Sequence, residues 1–327
     1  MKEALFYECL ENKKVKCRLC FHECKIDENK EGLCIARRNI AGKLIASTYG
    51  ELVAANLDPI EKKPLYHFHP GEEILSVAAN GCNLDCPFCQ NADISRGKTS
   101  SRYVPPEKLI EIASERRSKG IAYTYTEPLI WFEYLLDSSR IAHEQGLYNV
   151  IVSNGTINEK PLTELLPYID AANIDIKGDN EFYRKVLKGD MNSTLRTIRT
   201  LYRAGVHTEV TLLLVPGGND SVEQINEVIS FIESLDLRIP FHISRYFPHN
   251  QYPAPPTPEE TMLRAYGQTK GRLLYAYLGN IAFEHDNNTY CPSCGALLIE
   301  RAGYSVNIIG VEEGRCSSCK RKADVVV

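Results

Sequence analysis

Six apolar runs of strand length alternate with helix-like stretches between residues 71 and 250. This alternation restricts the fold more than any other feature of the chain. Strands are expected at 74–79, 121–126, 148–153, 172–177, 206–215 and 241–246. Besides a helix expected near 259–275, helical patterns occupy 107–119, 129–145, 195–204 and 222–235, and Gly120, Gly146 and Gly205 stop the first three of these four. In the last, Val222, Ile225, Val228, Ile229, Ile232 and Leu235 form one apolar stripe. Strand–helix–strand units of this kind build a parallel sheet through right-handed crossovers. Six units are too few to close an eight-stranded barrel. The expected fold is α/β, an open partial TIM-type barrel whose active groups gather at the carboxyl ends of its strands.

The twelve cysteines fall into groups, with only Cys9 standing alone. Cys82, Cys86 and Cys89, in a C-x3-C-x2-C spacing, follow the first expected strand. A cubane iron–sulfur cluster has four irons and usually takes four cysteines. Three thiolates leave one iron open to bind a small molecule and pass it an electron. The competing readings are buried apolar thiols, or a zinc site with a distant fourth ligand. Gly81, Pro87 and Phe88 suit a tight loop around metal better than a packed strand. The other groups are complete sets of four. Cys291, Cys294, Cys316 and Cys319 form two C-x2-C knuckles, a zinc-ribbon pattern, although rubredoxin-like iron uses similar knuckles. Cys17, Cys20, Cys24 and Cys34 are more tightly spaced and suit either zinc or an auxiliary iron–sulfur cluster, with His22 a possible replacement ligand.

These groups divide the 327 residues into a cysteine-rich N-terminal segment at 1–70, the partial barrel at 71–287 and the ribbon at 288–327. The ribbon is free to fold back over the barrel mouth or its side. A net charge of −4 gives no reason to expect a nucleic-acid or anionic-membrane partner. No stretch of eighteen apolar residues and no secretory signal is visible, so a cytoplasmic location is expected. C-x2-C spacings in that setting read as metal ligands, not disulfides.

The polar motifs fall at expected strand ends: Thr126-Glu127-Pro128, Ser153-Asn154-Gly155, Asp175 with Lys177, and His242 with Ser244. Each has a purely structural alternative. Glu127 suits a helix N-terminus, Ser153-Asn154-Gly155 an ordinary turn, Asp175 and Lys177 an interior ion pair, and His242 a core histidine. His67 and His69 fit a structural Pro-rich loop, with Tyr66 and Phe68 packed under the barrel. Tyr123, Tyr125 and Trp131 would suit the walls of a shielded pocket.

The cysteine loop together with these motifs resembles the radical S-adenosylmethionine (SAM) superfamily, in the branch of the pyruvate formate-lyase activating enzymes. The run Asp58-Pro59-Ile60-Glu61-Lys62-Lys63-Pro64-Leu65-Tyr66-His67-Phe68, the run 123–128 and both terminal cysteine groups resemble the AmmeMemoRadiSam subfamily more closely, over nearly the whole length. The resemblance implies a [4Fe-4S] cluster on Cys82, Cys86 and Cys89. SAM would be bound by Thr126, Glu127, Ser153, Asn154, Asp175, Lys177 and His242. In activating enzymes a Gly-Gly-Glu-Pro motif holds the cofactor's ammonium group. Here Tyr125 and Thr126 replace the two glycines and the acid is kept. Ser153-Asn154-Gly155 resembles the ribose-contacting turn. The implied activity is reductive cleavage of SAM to a 5′-deoxyadenosyl radical, which takes hydrogen from a protein or small-molecule substrate. A low-potential donor such as ferredoxin or flavodoxin would supply the electron. The alternative is a non-enzymatic metal-binding scaffold or interaction module.

Overall fold

A computed structural model of the protein describes residues 1–281 and 283–327. Its centre is one eight-stranded sheet. The strands are β1 (Ala54–Pro59), β2 (Glu73–Ala78), β3 (Gly120–Tyr123), β4 (Tyr148–Ser153), β5 (Ala171–Asp175), β6 (His207–Leu214), β7 (Phe241–Arg245) and β8 (Ala276–Gly279). They lie side by side in chain order. β1 runs antiparallel to β2, and every later pairing is parallel. Six helices fill the crossovers: α1 (Pro106–Glu115), α2 (Phe132–Glu144), α3 (Glu159–Leu165), α4 (Met191–Arg203), α5 (Val222–Leu235) and α6 (Glu259–Thr269). Among the described residues no pairing joins β1 to β8, so the sheet stays open.

All six expected strands are present, with ends shifted by a residue or more in most. Two strands and one helix escaped the periodicity. β1 is broken by Asn56 and Asp58, and β8 has only four residues. α3 has only seven, too few for a helical stripe to stand out. β1 also lies within the expected N-terminal segment yet pairs with the first barrel strand along its whole length.

The segment between β1 and β2 closes the amino end of the sheet. Ile60, Leu65 and Phe68 pack with Ile74, Ala122, Val150 and Ala171. Glu209 on β6 anchors this plug. Its carboxylate accepts the backbone N–H of Tyr66 at 3.0 Å and of His67 at 2.8 Å, and lies 2.9 Å from the His207 ring and 2.6 Å from the His242 ring. Burial pushes the Glu209 carboxyl up, but the bonds to His207 and His242 outweigh this and hold it below its usual range.

The C-terminal ribbon docks at this same end. Val326 donates its N–H to the His67 carbonyl at 2.8 Å and accepts from the His69 N–H at 2.8 Å. Arg301 donates to the Tyr66 carbonyl at 2.7 Å. The C-terminal segment therefore covers the amino end of the sheet rather than its carboxyl edge.

His67 is wholly enclosed between plug and ribbon, bonded to the Asp324 carbonyl at 2.7 Å and the Tyr277 hydroxyl at 2.6 Å. Burial lowers its pKa to about 4. The unfolded chain therefore binds a proton that the folded chain refuses. The resulting stability is complete above the unfolded pKa of about 6.5 and is lost as pH falls toward 4. Urea midpoints should fall across that window, and His67→Phe should flatten the fall. An equal slope in the variant would exclude His67 as the cause.

Two three-stranded antiparallel sheets make up most of the N-terminal segment. Arg37 from one of them donates to Glu133 on α2 at 2.5 Å, and both side chains are buried. Among the described residues no helix is long and apolar enough to cross a membrane.

Candidate active site

The cysteine loop leaves β2 at the carboxyl edge of the sheet. Gly81 has φ +114°, which a side chain rarely adopts. A Cβ there would also stand 2.4 Å from the Cys34 carbonyl oxygen. Two of the three sulfurs that follow, those of Cys82 and Cys89, have polar neighbours. Leu84 N–H lies 3.4 Å from Cys82 Sγ, Asn154 Nδ2 lies 3.7 Å from it, and Ser95 Oγ lies 3.3 Å from Cys89 Sγ. Such contacts stabilise thiolate ligands. Cys86 also lines an open cleft of about 780 Å³, together with Arg96, Lys185 and Asn250.

Thr126 and Glu127 come from the next strand end. Thr126 Oγ1 donates to the Ala79 carbonyl at 2.7 Å, tying the two loops together. Glu127 is 2% exposed. One oxygen accepts from Leu129 N–H at 2.9 Å, capping a short 3-10 turn, and from Ser153 Oγ at 2.7 Å. The other accepts from Asn154 N–H at 2.8 Å. Burial pushes the Glu127 carboxyl up to about 7, against the pull of these bonds. The capping interaction thus exists, and the same carboxylate holds the Ser153-Asn154 turn, whose Asn154 amide reaches the cysteine loop.

Lys177 Nζ donates to Asp175 Oδ2 at 2.8 Å. Burial would lower the lysine pKa, but the charges of Asp175 and Cys86 outweigh it and keep the group cationic. The pair is an ion pair, as its structural alternative requires, and it stands beside the Cys86 sulfur.

His242 is the exception. It lies near the amino end of β7, paired with Glu209 and edge-on to Tyr66 with 4.7 Å between ring centroids. A strand carries side chains of one face along its full length. Alternation therefore assigned its face but not its depth, and His242 is not brought to the cysteine loop. Two of the expected pocket walls also lie elsewhere. Tyr123 faces α2, its hydroxyl 2.8 Å from Ser138 Oγ. Trp131 stacks on Tyr134 with centroids 4.2 Å apart.

Tyr125 does face inward, and it stands at φ +65°. A non-glycine residue there stores roughly 1–3 kcal/mol of strain. Three contacts hold it. Asp58 accepts from its hydroxyl, Lys63 Nζ sits 4.5 Å from its ring centroid, and Asn91 donates to its carbonyl at 2.7 Å. Lys63 is also buried and donates to Asp58 at 2.6 Å. Burial raises the Asp58 carboxyl, but the bonds from Lys63, Tyr125 and Lys62 hold it well below its ordinary range. Tyr125 was expected as a pocket wall and Asp58 and Lys63 only as part of the 58–68 run, so spacing did not show that the three form one group. Its available signal was a tyrosine standing where related motifs carry glycine.

At the C-terminus, Cys291 and Cys319 sulfurs are 3.6 Å apart, and those of Cys294 and Cys316 are 3.7 Å apart. All four lie within 4.8 Å of one another. Tetrahedral binding with Zn–S bonds of about 2.3 Å implies sulfurs roughly 3.8 Å apart. A four-cysteine metal-binding cluster is therefore present.

The radical SAM superfamily model matches residues 76–232, the stretch from β2 to α5. The chain belongs to the radical SAM superfamily. An uncharacterized protein of Methanocaldococcus jannaschii is 43% identical over the full length of both chains. The pyruvate formate-lyase-activating enzyme of Clostridium pasteurianum is 25% identical over 165 residues, covering 49% of this chain and 69% of that enzyme. Among solved structures, a radical SAM methyltransferase from Sphaerobacter thermophilus shares the fold, with a TM-score of 0.53 at 16% identity over 70% of this chain and 71% of that one. The protein is an activating-enzyme-like radical SAM enzyme, and its family implies a [4Fe-4S] cluster and SAM. The donor set suits a cubane cluster. Among the described residues, Cys82, Cys86 and Cys89 do not share the single-ion spacing of the C-terminal four.

Proposed function

We propose that this radical SAM enzyme cleaves SAM reductively and takes hydrogen from a protein or small-molecule substrate. The observation that carries the reading is convergence. At the carboxyl edge of one parallel sheet, Asn154 is bonded both to the three-cysteine loop, across more than 70 residues of sequence, and to Glu127, and Lys177 stands beside Cys86. With a cluster on Cys82, Cys86 and Cys89, the chemistry supplied is one-electron cleavage of a sulfonium carbon–sulfur bond to give a 5′-deoxyadenosyl radical. The chain's own residues bind and orient. Glu127 pairs with the SAM ammonium group, and Thr126 holds the loop that carries it. Ser153 and Asn154 face the ribose side, and Lys177, kept cationic by Asp175, offers a contact to cofactor or substrate carboxylate. Asp58, Lys63 and Tyr125 set the inner wall.

Residues 1–70, 71–287 and 288–327 act in this reading as metal-binding segment, catalytic barrel and zinc ribbon. Zinc in the ribbon is structural, because four thiolates close its coordination shell. The similarity to a pyruvate formate-lyase-activating enzyme supports a protein target as one version of the substrate. The electron donor is of the ferredoxin or flavodoxin type, in a reducing cytoplasm that keeps all twelve cysteines free. Anaerobic turnover with cell extract, following 5′-deoxyadenosine and the mass of modified species, tests the reading. Absence of deoxyadenosine from a cluster-loaded, reduced protein would remove it.

Glu127→Gln should weaken SAM binding. The variant loses a charge-assisted bond worth roughly 1.5–3 kcal/mol, which is about ten- to a hundredfold in affinity. Iron content should stay unchanged. Equal SAM affinity in both proteins would leave Glu127 as a helix cap and nothing more.

A further inference from the structure

We infer that Asp58, Lys63 and Tyr125 are positioning residues: they hold a strained backbone turn at Tyr125, and that turn aims the Glu127 carboxylate at the SAM ammonium group. This role rests on the proposed pairing of Glu127 with SAM. The turn follows directly from the sheet, where the Thr124 N–H donates to the Val77 carbonyl at 3.0 Å. The Thr126 N–H then donates back to the Thr124 carbonyl at 2.8 Å, and Tyr125 between them has φ +65°. A bond between residues two apart makes a three-residue reversal, and its positive-φ form is rare and strained. A residue with a side chain keeps such a backbone only where its surroundings impose it.

Two segments impose it. From the β1 side, Asp58 accepts from the Tyr125 hydroxyl, and Lys63 Nζ lies 4.5 Å from the ring centroid while donating to Asp58 at 2.6 Å. Asp58 and Lys63 are both buried, so the ring is gripped by an ion pair that is itself fixed. From the cysteine loop, Asn91, two residues past Cys89, donates to the Tyr125 carbonyl at 2.7 Å. Ring and carbonyl of one residue are thus held by different parts of the chain. Burying an ion pair and straining a backbone both oppose folding. Their meeting on one residue beside the cysteine loop marks a group that serves the site rather than the core.

What the turn positions lies within two residues of its apex. Thr126 Oγ1 reaches the Ala79 carbonyl at 2.7 Å, and the Glu127 N–H reaches the Gly81 carbonyl at 3.4 Å. The chain leaving Tyr125 is therefore laid against the start of the cysteine loop. From there the Glu127 carboxylate extends to Ser153 Oγ at 2.7 Å and to the Asn154 N–H at 2.8 Å. At negative φ the chain would leave Thr124 in another direction, and these bonds would not form together. The strained turn thus sets where the carboxylate stands before SAM arrives.

The test compares Tyr125→Ala with Tyr125→Gly in the full chain, reconstituted with iron and sulfide without oxygen. Both changes remove the ring, but only glycine takes up positive φ freely. SAM binding is read by equilibrium dialysis without a reductant, so no turnover is needed. Tyr125→Ala should weaken binding about tenfold. Tyr125→Gly should recover most of that loss, and iron content should match the unsubstituted protein in both. A glycine variant no better than the alanine variant would overturn the positioning role, because the ring and not the turn would then matter. So would unchanged affinity in Tyr125→Ala. Tyr125→Phe keeps the ring and loses only the hydroxyl bond, which guards against a misfolded alanine variant. It should also weaken binding, and unchanged affinity there would overturn the grip assigned to Asp58. Adding Tyr125→Ala to Glu127→Gln should cost nothing further, since one residue acts through the other, and a full additive loss would overturn the link. Glu127→Gln alone separates the two levels. If it binds SAM normally, the pairing of Glu127 with SAM falls and the positioning role with it. If it binds SAM weakly but the alanine–glycine contrast is missing, only the positioning role falls.

Discussion

Replacing any one of Cys82, Cys86 and Cys89 with alanine should abolish deoxyadenosine formation. These residues lie on one loop, so each supplies a third of the protein's hold on the cluster at this site. Losing one leaves two irons without a protein ligand, and such a cluster falls apart or fails to present a single open iron. The fold should survive, because none of the three sulfurs is an anchor of the main apolar core. Iron content, deoxyadenosine yield and far-ultraviolet circular dichroism of anaerobically reconstituted single variants check the expectation together. Full deoxyadenosine yield in any one variant would sink its assignment as a ligand.

The largest effect on stability should come from Glu209→Ala. The side chain is completely buried, and its two oxygens satisfy two backbone N–H groups and two histidine rings. Removing it strands those donors at the point where the 60–72 segment is fastened to the sheet. Breaking such a buried polar set by deleting one partner costs roughly 3–5 kcal/mol. Urea unfolding read by circular dichroism should show the loss. Glu209→Gln should fall between the two, since its amide oxygen still accepts while its amide nitrogen faces donors. A Glu209→Ala change within about 0.5 kcal/mol of the unsubstituted protein, the usual range of surface substitutions, would mean that the floor is held chiefly by apolar packing of Ile60, Leu65 and Phe68.

His242, in that network, and Lys177, outside it, show where sequence reading fails. Both were expected at strand ends. Lys177 stands at the carboxyl end beside Cys86, and His242 near the amino end beside Glu209. A period of two names the face and is silent about depth along the strand. Tyr123 and Tyr125 illustrate the same point: two positions apart, one turns outward to α2 and the other inward to Asp58. The strand ends at Tyr123, and the left-handed backbone at Tyr125 breaks the alternation.

Features set by neighbours in sequence were legible in the sequence alone. The repeating strand–helix units, the three-cysteine loop and the two four-cysteine sets arise from spacings of a few residues. So did the placement of Glu127 and Ser153-Asn154 at strand ends. The tertiary structure alone decided what depends on contacts between distant segments. Arg37 meets Glu133 across 96 residues, His67 meets the Tyr277 hydroxyl across 210, and Arg301 meets the Tyr66 carbonyl across 235. The last of these ties the C-terminal segment to the amino end of the sheet, and backbone contact at Gly81 sets the N-terminal cysteines against the catalytic loop. Periodicity carries no information about which distant surfaces meet, because that choice is made by shape and by the need to pair every buried polar group.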